Sequence, residues 1–201
     1  MTSEVSEAYA RRAVEYAELF GSMSAVHPSD RQLVATWAEG IDGPVIDAGC
    51  GPGQWTNFLT EQRLAACGVD LVPEFIEHAR TTYPGVPFEV GSLDTLNVET
   101  GTVDGIFSWY SLIHHEPSTI GIPLQEFARA LKPDGALLIG FFEGPMVGKF
   151  AHGVTPAYRW PVSVLSEELT SAGFEVVETH TRTISAQRPH GAITARRRPT
   201  R

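Results

Sequence analysis

The amino-acid sequence predicts one α/β domain built on a mostly parallel β-sheet. Between residues 45 and 142, short apolar segments alternate with amphipathic segments, a pattern typical of parallel strands joined by helical crossovers. Glycines at positions 49, 51 and 53 directly follow the first apolar segment, in "VIDAGCGPGQWT". The 201 residues are enough for one sizeable core and too few for two ordinary domains.

Two helices are predicted before the sheet. Apolar residues recur at spacings of three and four over residues 4–20, which predicts one helix that ends at Gly21. In "HPSDRQLVATWAEG", Ser29 and Gln32 have the spacing of a capping box, and Gly40 is placed to end the helix that follows.

The alternating region and the C-terminal region complete the sheet. The predicted elements of the alternating region are strand 45–47, helix 54–62, strand 65–71, helix 73–82, strand 87–90, strand 103–109, helix 122–131 and strand 136–142. Residues 143–161 show no clean period, and a helix over 163–172 follows them. The strands "FEVVETHTRT" and "GAITARR" have no helix between them, so they pair antiparallel or lie apart.

The composition limits the expected partners and compartment. The formal net charge is −9, and Lys132 and Lys149 are the only lysines, so a nucleic-acid-binding surface is not expected. Cys50 and Cys67 lack the spacing of a metal site or a disulfide framework, so no metal is expected. The longest apolar run, "ALLIGFF", is too short to span a bilayer. These features favour a cytoplasmic protein that does not associate with membranes.

The glycine turn predicts a nucleotide cofactor that carries an amino-acid part. The dinucleotide pattern GxGxxG requires a third glycine at position 54, where this chain has Gln54. Asp47 ends the first strand beside the turn, where its carboxylate would repel a pyrophosphate and suit an ammonium group. Asp70 ends the second strand, where an acidic side chain accepts hydrogen bonds from ribose hydroxyls.

Five motifs in order resemble those of class I S-adenosylmethionine-dependent methyltransferases of the small-molecule type. They are "VIDAGCGPGQWT", "CGVDLVPEFIEHAR", "EVGSLDTL", "VDGIFSWYSLIHHEP" and "LKPDGALLIGFF". The resemblance implies a Rossmann-like, doubly wound sheet of seven strands in the order 3-2-1-4-5-7-6, with an antiparallel last strand and helices on both faces. It also implies S-adenosyl-L-methionine as cofactor and S-adenosyl-L-homocysteine as product.

The same resemblance implies the cofactor contacts. For the methionine part, the ribose and the adenine, the matched residues are Asp47, Ala48, Gly49, Gly51, Asp70, Leu71, Ser92 and Leu93. At the end of the fourth strand, Trp109, Tyr110 and Ser111 would border the sulfonium and the acceptor. Tyr9 and Tyr16 resemble the aromatic pair of an N-terminal helical lid over the cofactor.

Candidates for a general base follow the fourth strand. His115 is the first choice because its place in "LIHHEP" matches a histidine of the family, and imidazole titrates near neutral pH. His114, Tyr158 and Glu143 are alternates. The alternative is that one histidine is a hydrogen-bonded scaffold group and the other is exposed.

Residues 143–160 are expected to bind the acceptor together with the fourth-strand loop, because a long aperiodic segment in a compact domain usually serves binding. The aromatic and basic candidates in this segment are Phe150, His152, Tyr158, Arg159 and Trp160. The alternative is that the aromatic residues only seal the edge of the sheet. The C-terminal strands are expected only to complete that edge.

The sequence therefore predicts one methyltransferase domain. Its expected parts are an N-terminal lid (1–40), a cofactor-binding core (41–142), a substrate loop (143–162) and a C-terminal helix with a strand pair (163–201). We expect methyl transfer to an O, N or C atom of a small molecule. Two alternatives stay open: a non-catalytic module that binds the same cofactor, and a nicotinamide-dependent oxidoreductase.

Overall fold

The computed structural model describes residues 3–185 and 187–199, so residues 1, 2, 186, 200 and 201 of the expected segments lie outside it. The helices are α1 (Ser3–Ala10), α2 (Ala13–Phe20), α3 (Pro28–Ala38), α4 (Gln54–Glu61), α5 (Pro73–Thr82), α6 (Gly121–Ala130) and α7 (Val162–Ser171). The strands are β1 (Pro44–Ala48), β2 (Ala65–Asp70), β3 (Phe88–Val90), β4 (Val103–Trp109), β5 (Leu131–Glu143), β6 (Gly148–Phe150), β7 (Ala157–Trp160), β8 (Phe174–Arg182) and β9 (His190–Arg197).

The strand order confirms the predicted sheet. Strands β3, β2, β1, β4 and β5 lie side by side and are parallel. Strand β9 pairs antiparallel with β5, and β8 pairs antiparallel with β9. With β8 and β9 counted as the sixth and seventh strands, this order is 3-2-1-4-5-7-6.

A short hairpin that the sequence did not predict extends the sheet beyond the end of β4. Strands β6 and β7 pair antiparallel, and β7 pairs in parallel with Phe142 and Glu143 of β5. The last partner of β4 on β5 is Gly140, so β7 occupies the position next to β5 where β4 has ended. The hairpin therefore stands at the carboxyl end of the parallel strands, where ligands bind in open α/β sheets.

Alternating side chains of the strands form an apolar core on each face of the sheet. Ile106 and Leu137 pack in the cluster that contains α6 and α7. Their neighbours Phe107 and Leu138 point the other way and pack with α3 and α4. This period of two buries both faces of the central strands under helices, as expected for a doubly wound sheet.

The N-terminal region differs from the prediction in two details. The expected single helix over 4–20 is two helices separated at Arg11 and Arg12, because the apolar spacing continues across the break and hides it. The expected capping box at Ser29 is also wrong. His27 is the N-cap of α3, and its Nδ1 accepts a hydrogen bond of 3.2 Å from the Ser29 amide. Pro28 follows at the first helical position, where a missing N–H costs nothing.

No helix among residues 3–185 and 187–199 combines the length and apolar character required to cross a membrane.

Candidate active site

A cavity of about 1100 Å³ lies at the carboxyl ends of the parallel strands. Six of the residues predicted as cofactor contacts line it, namely Tyr16, Asp47, Gly49, Gly51, Trp109 and Tyr110, and so does the acceptor candidate His152. The other predicted site residues do not line it, namely Tyr9, Ala48, Asp70, Leu71, Ser92, Leu93, Ser111, His114, His115 and Tyr158. The structure thus brings the glycine turn, one lid tyrosine and the end of the fourth strand together around one space.

The three glycines of the turn all adopt left-handed backbone conformations. Their φ angles are +83° at Gly49, +52° at Gly51 and +92° at Gly53. A Cβ atom on Gly49 would lie 2.1 Å from the Cβ of Ser111, so this position also requires a residue without a side chain. Gly51 has open space beside it. The glycines therefore let the backbone between β1 and α4 form one wall of the cavity.

Asp47 places a buried carboxylate in that wall. Its side chain is 1% exposed and accepts a hydrogen bond of 2.6 Å from Thr56 Oγ1. Burial raises the pKa of Asp47 to about 7, although the Thr56 hydrogen bond opposes this effect. Among residues 3–185 and 187–199, no Lys, Arg or His forms an ion pair with Asp47. A cationic ligand group in the cavity would supply the missing countercharge.

Gln54 adds an unsatisfied acceptor to the same wall, and the sequence analysis missed it. Its Oε1 atom is buried and has no hydrogen-bond partner in the described part of the chain. Gln54 begins α4 directly after the glycine turn and lines the cavity. A buried amide oxygen without a partner is costly, so a ligand N–H group at this position would be stabilising.

Asp70 holds the glycine turn from behind. Its two carboxylate oxygens accept hydrogen bonds of 2.9 Å from the backbone amides of Gly51 and Val72. The side chain is 6% exposed, and burial raises its pKa while these two hydrogen bonds lower it. Asp70 therefore fixes the turn directly, and it does not itself line the cavity.

The helices α1 and α2 cover the end of β2. Tyr9 and Tyr16 both pack on Phe75 of α5, with ring centroids 5.9 and 5.3 Å away. Ser6 Oγ donates a hydrogen bond of 3.3 Å to the carbonyl of Leu71. Tyr16 lines the cavity, and burial raises its pKa to about 12. The two helices thus lie over the place where the resemblance puts the ribose and adenine contacts.

The end of the fourth strand forms the floor between the two sides of the cavity. Trp109 packs over Gly140 of β5, where a Cβ atom would lie 2.5 Å from the indole ring. Tyr110 has a φ of +57°, an unusual value for a residue with a side chain that often marks functional sites. The Tyr110 hydroxyl is hydrogen-bonded to Nδ1 of His190, and burial raises the tyrosine pKa.

The two histidines after the fourth strand both contact polar groups of other segments. His114 Nδ1 is 2.9 Å from the carbonyl oxygen of Pro156, and Nε2 is 2.8 Å from the hydroxyl of Tyr9. The carbonyl can only accept, so Nδ1 donates and the tyrosine donates to Nε2. Burial lowers the pKa of His114 to about 4, which keeps this neutral tautomer. His115 is 4% exposed, and its Nε2 is 2.9 Å from Asp94 Oδ1.

Residues 143–160 contribute less of the wall than expected. Of the five candidates, His152 lines the main cavity. Phe150 and Arg159 line a smaller neighbouring cavity of about 150 Å³. Trp160 is buried in the apolar core, and the ring of Tyr158 lies 5.9 Å from the ammonium of Lys149.

The sequence analysis missed the far wall, which comes from the connection between β8 and β9 and from the start of α3. Arg182 forms a bidentate ion pair with Asp30, and one of its two contacts is 2.9 Å. Arg182, Arg188 and His190 line the cavity. The C-terminal strands thus contribute Arg182 and His190 to the cavity wall, whereas none of residues 191–197 lines it. Strand β9 runs antiparallel to β5, so its first residue, His190, pairs with Phe142 at the carboxyl end of the sheet.

Comparison with known proteins agrees with this geometry. Residues 45–135 match the family model described as a methyltransferase domain. Trans-aconitate 2-methyltransferase of Methylobacterium nodulans is 34% identical over 101 residues, which are 47% of this chain and 36% of that protein. The chain spans about half the length of the curated relatives it matches, between 36% and 56% for three of them.

Solved structures share the fold over nearly the whole chain. One is the 1,6-didemethyltoxoflavin-N1-methyltransferase of Burkholderia thailandensis with bound 1,6-didemethyltoxoflavin and S-adenosylhomocysteine. It is 24% identical, with a TM-score of 0.81, over 98% of this chain and 88% of that one. The [4+2]-cyclase SpnF is 18% identical, with a TM-score of 0.76, over 98% and 96% of the two chains.

The sheet order, the left-handed glycine turn and the cavity above it are features of a Rossmann-like fold, which this chain shares with solved methyltransferase structures. The match of residues 45–135 to the methyltransferase-domain model agrees with the motifs of the sequence.

Proposed function

We propose that the protein transfers the methyl group of S-adenosyl-L-methionine to an O, N or C atom of a small-molecule acceptor. The observation that carries the proposal is the buried carboxylate of Asp47 in the glycine turn, which faces a cavity and lacks a cationic partner among the described residues. The match of residues 45–135 to the methyltransferase-domain model supports it. The cofactor supplies an electrophilic methyl group on a positively charged sulfur.

The residues of the cofactor side fit an amino-acid ligand. Asp47 offers a negative charge and Gln54 an unsatisfied oxygen, and both suit an ammonium group. The backbone at Gly49 and Gly51 can approach the ligand closely because neither residue has a side chain. Trp109 adds an aromatic wall, and aromatic faces attract cations such as a sulfonium.

We propose that the ribose and adenine bind under α1 and α2. Asp70 and Leu71 end the second strand, and Ser92 and Leu93 follow the third strand, where the family places these contacts. Tyr9 and Tyr16 cover this region, so the two helices must move outward to admit the cofactor and then close over it. A lid of this kind excludes water from the reaction.

For acceptors that must lose a proton, we propose His152 as the group that accepts it. His152 lines the cavity, and its buried Nδ1 has no hydrogen-bond partner within the described residues. Burial and the nearby Arg188 lower the pKa of His152, so the imidazole is neutral at pH 7 and can take a proton. His115 would have to leave Asp94 and its buried position to reach the acceptor. We assign His114 and His115 to holding the fourth-strand loop.

Calorimetry and labelled transfer test the proposal. The purified protein should bind S-adenosylmethionine and S-adenosylhomocysteine and show no heat with NAD. With methyl-labelled S-adenosylmethionine and a fractionated metabolite extract, label should enter a small molecule, and excess S-adenosylhomocysteine should suppress the transfer. Tight NAD binding without binding of either sulfur cofactor would overturn the assignment. Cofactor binding without any transfer would favour the non-catalytic module.

A further inference from the structure

We infer that the acceptor is a flat organic anion whose charged group is bound by Arg188 at the far end of the cavity. This inference rests on the proposed function, since it names the class of molecule that the proposed methyl transfer would modify. Three observations support it: the fixed position of Arg188, the pairing of the other charges of the cavity, and the aromatic surfaces between Arg188 and the glycine turn.

Arg188 contacts two aromatic rings and a carbonyl, and it has no carboxylate partner among residues 3–185 and 187–199. Its guanidinium lies 4.9 Å from the ring centroid of Phe150 and 6.0 Å from that of Phe142. One of its terminal nitrogens donates a hydrogen bond of 2.9 Å to the carbonyl of Ala151. These contacts fix the guanidinium plane but leave further N–H donors for a ligand. The residue lies in the connection between β8 and β9 and lines both the main cavity and the cavity of about 150 Å³ beside it.

The other charged side chains on the cavity wall form ion pairs with each other, except Asp47, which lies at the cofactor side. Arg12 pairs with Glu15, with 2.9 Å between nitrogen and oxygen. Arg182 pairs with Asp30 through two contacts. Among the described residues this leaves Asp47 and Arg188 as the cavity charges without an ion-pair partner. A cationic group of the cofactor suits Asp47, and an anionic group of the acceptor suits Arg188.

The distance between these two charges leaves room for the body of an acceptor. Asp47 lies near the end of β1, and Arg188 lies two residues before the start of β9, with β4 and β5 between the two strands. Three strand spacings correspond to about 14 Å. The anionic group bound by Arg188 is thus separate from the reacting atom, which must lie close to the glycine turn.

Aromatic rings line this space. Tyr110 and Phe142 pack together with ring centroids 4.9 Å apart, and Trp109 packs on Tyr110 at 5.6 Å. His152 lies against Phe142 with a centroid distance of 5.9 Å. Flat apolar faces favour a flat ring system, and the neutral His152 adds no competing positive charge. The smaller cavity is lined by Arg188, by a second arginine, Arg159, and by Glu143, so its lining carries two positive charges and one negative charge.

A pair of isosteric probes tests the inference by binding alone. Benzoate and benzamide share size and shape and differ in charge. We expect the wild-type protein to bind benzoate at least about tenfold more tightly than benzamide, because a guanidinium forms bidentate hydrogen bonds with a carboxylate. Arg188→Gln should reduce this ratio to near one, and Arg188→Lys should restore part of it. Arg31→Gln, which changes an exposed arginine of α3 that does not line the cavity, should retain the full ratio.

Each outcome decides the question. Equal binding of the two probes, an unchanged ratio in Arg188→Gln, or no saturable benzoate binding at millimolar concentration would overturn the inference. Phenyl phosphate is the third probe: tighter binding than benzoate assigns the site to phosphate-bearing acceptors, and weaker binding assigns it to carboxylates. Titrations with and without saturating S-adenosylhomocysteine separate the two proposals, because failure to bind that cofactor refutes the proposed function while the benzoate preference is still measurable.

Discussion

The two sides of the cavity are built in different ways. The cofactor side comes mainly from one continuous segment, residues 47–55, which contains the end of β1, the glycine turn and the start of α4. The acceptor side is assembled from separate segments, namely His27 and Asp30, Phe142, residues 152–154, Arg182 and residues 187–190. Local backbone geometry forms the first side, and strand pairing and ion pairs between distant segments form the second.

A short sequence motif can therefore determine the cofactor side of the cavity, whereas the acceptor side forms only when distant segments come together in the folded protein. Left-handed glycines determine the cofactor side wherever the motif follows a parallel strand. The acceptor side depends on long-range contacts, such as the ion pair of Arg182 with Asp30 across 152 residues of sequence. Changes on the cofactor side should therefore weaken cofactor binding strongly, and changes on the acceptor side should alter rate or selectivity while the cofactor still binds.

Substitution of Gly49 by alanine should have the largest effect. The new Cβ would lie 2.1 Å from the Cβ of Ser111, and the φ of +83° is unfavourable for any residue with a side chain. We expect S-adenosylhomocysteine affinity to fall at least about a hundredfold, because the backbone of the turn must shift to relieve the clash. Titration calorimetry measures the affinity, and circular dichroism checks that the protein is folded.

The matched control for this change is Gly85→Ala. Gly85 lies in a turn before β3, and an added Cβ would meet no atom within 4 Å. This variant should bind the cofactor like the wild type. A folded Gly49→Ala protein with unchanged affinity would show that the turn does not form the cofactor site.

The residues of the cofactor side could be predicted from the sequence, and most residues of the acceptor side could not. Asp47, Gly49 and Gly51 were found because an apolar strand, a glycine turn and a helix stand next to each other in the sequence. The β6–β7 hairpin was missed because strands of three and four residues are too short to show a period. Arg188 and His190 were missed because their place in the cavity follows from the pairing of β9 with β5, which no local pattern encodes.

Replacement of His152 by alanine tests the acceptor side. If this imidazole accepts the proton of the acceptor, kcat should fall by about a hundredfold while the Kd for S-adenosylhomocysteine stays within error. The control is His78→Ala, because His78 is an exposed residue of α5. Steady-state kinetics with the identified acceptor measures the effect. If kcat of His152→Ala equals that of the wild type across the pH range, His152 does not accept the proton. Alignment of cofactor and acceptor would then account for the rate acceleration.

Asp47→Asn should weaken cofactor binding by about thirtyfold at pH 8, since it removes the charge that faces the ammonium group. Burial raises the pKa of Asp47 from 3.8 to about 7, so the folded protein holds a proton there that the unfolded chain has released. The stability of the cofactor-free protein should therefore fall as pH rises from about 4 to 7 and level off above that. The variant lacks this loss, so above pH 7 it should be the more stable protein.

Two measurements check whether Asp47→Asn lowers cofactor affinity and raises stability at alkaline pH. Thermal unfolding from pH 4 to pH 9 should show a higher melting temperature for Asp47→Asn than for wild type at the alkaline end. Calorimetry over the same range should show wild-type cofactor affinity rising as Asp47 ionises, and no such rise in the variant. Asp42→Asn removes an exposed carboxylate five residues earlier and should change neither property. A variant that is less stable than wild type at pH 8 would contradict the buried-charge argument.

Removal of the Tyr9 hydroxyl should have the smallest effect and a distinctive one. The hydroxyl donates to His114 Nε2 at 2.8 Å and so ties α1 to the loop after the fourth strand. A neutral hydrogen bond contributes about 1 kcal/mol, which corresponds to about a fivefold change in a rate or equilibrium.

If α1 must swing outward to admit the cofactor and again to release it, Tyr9→Phe weakens the closed state of the free and the bound protein alike. Association and dissociation of S-adenosylhomocysteine should then both accelerate about fivefold, with the Kd nearly unchanged, as measured by stopped-flow fluorescence. Tyr158→Phe is the control, because the Tyr158 hydroxyl forms no hydrogen bond with the residues that the structure describes. A slower association would mean that the hydroxyl contacts the cofactor, and two unchanged rates would show that α1 is a fixed cover and that the cofactor enters elsewhere.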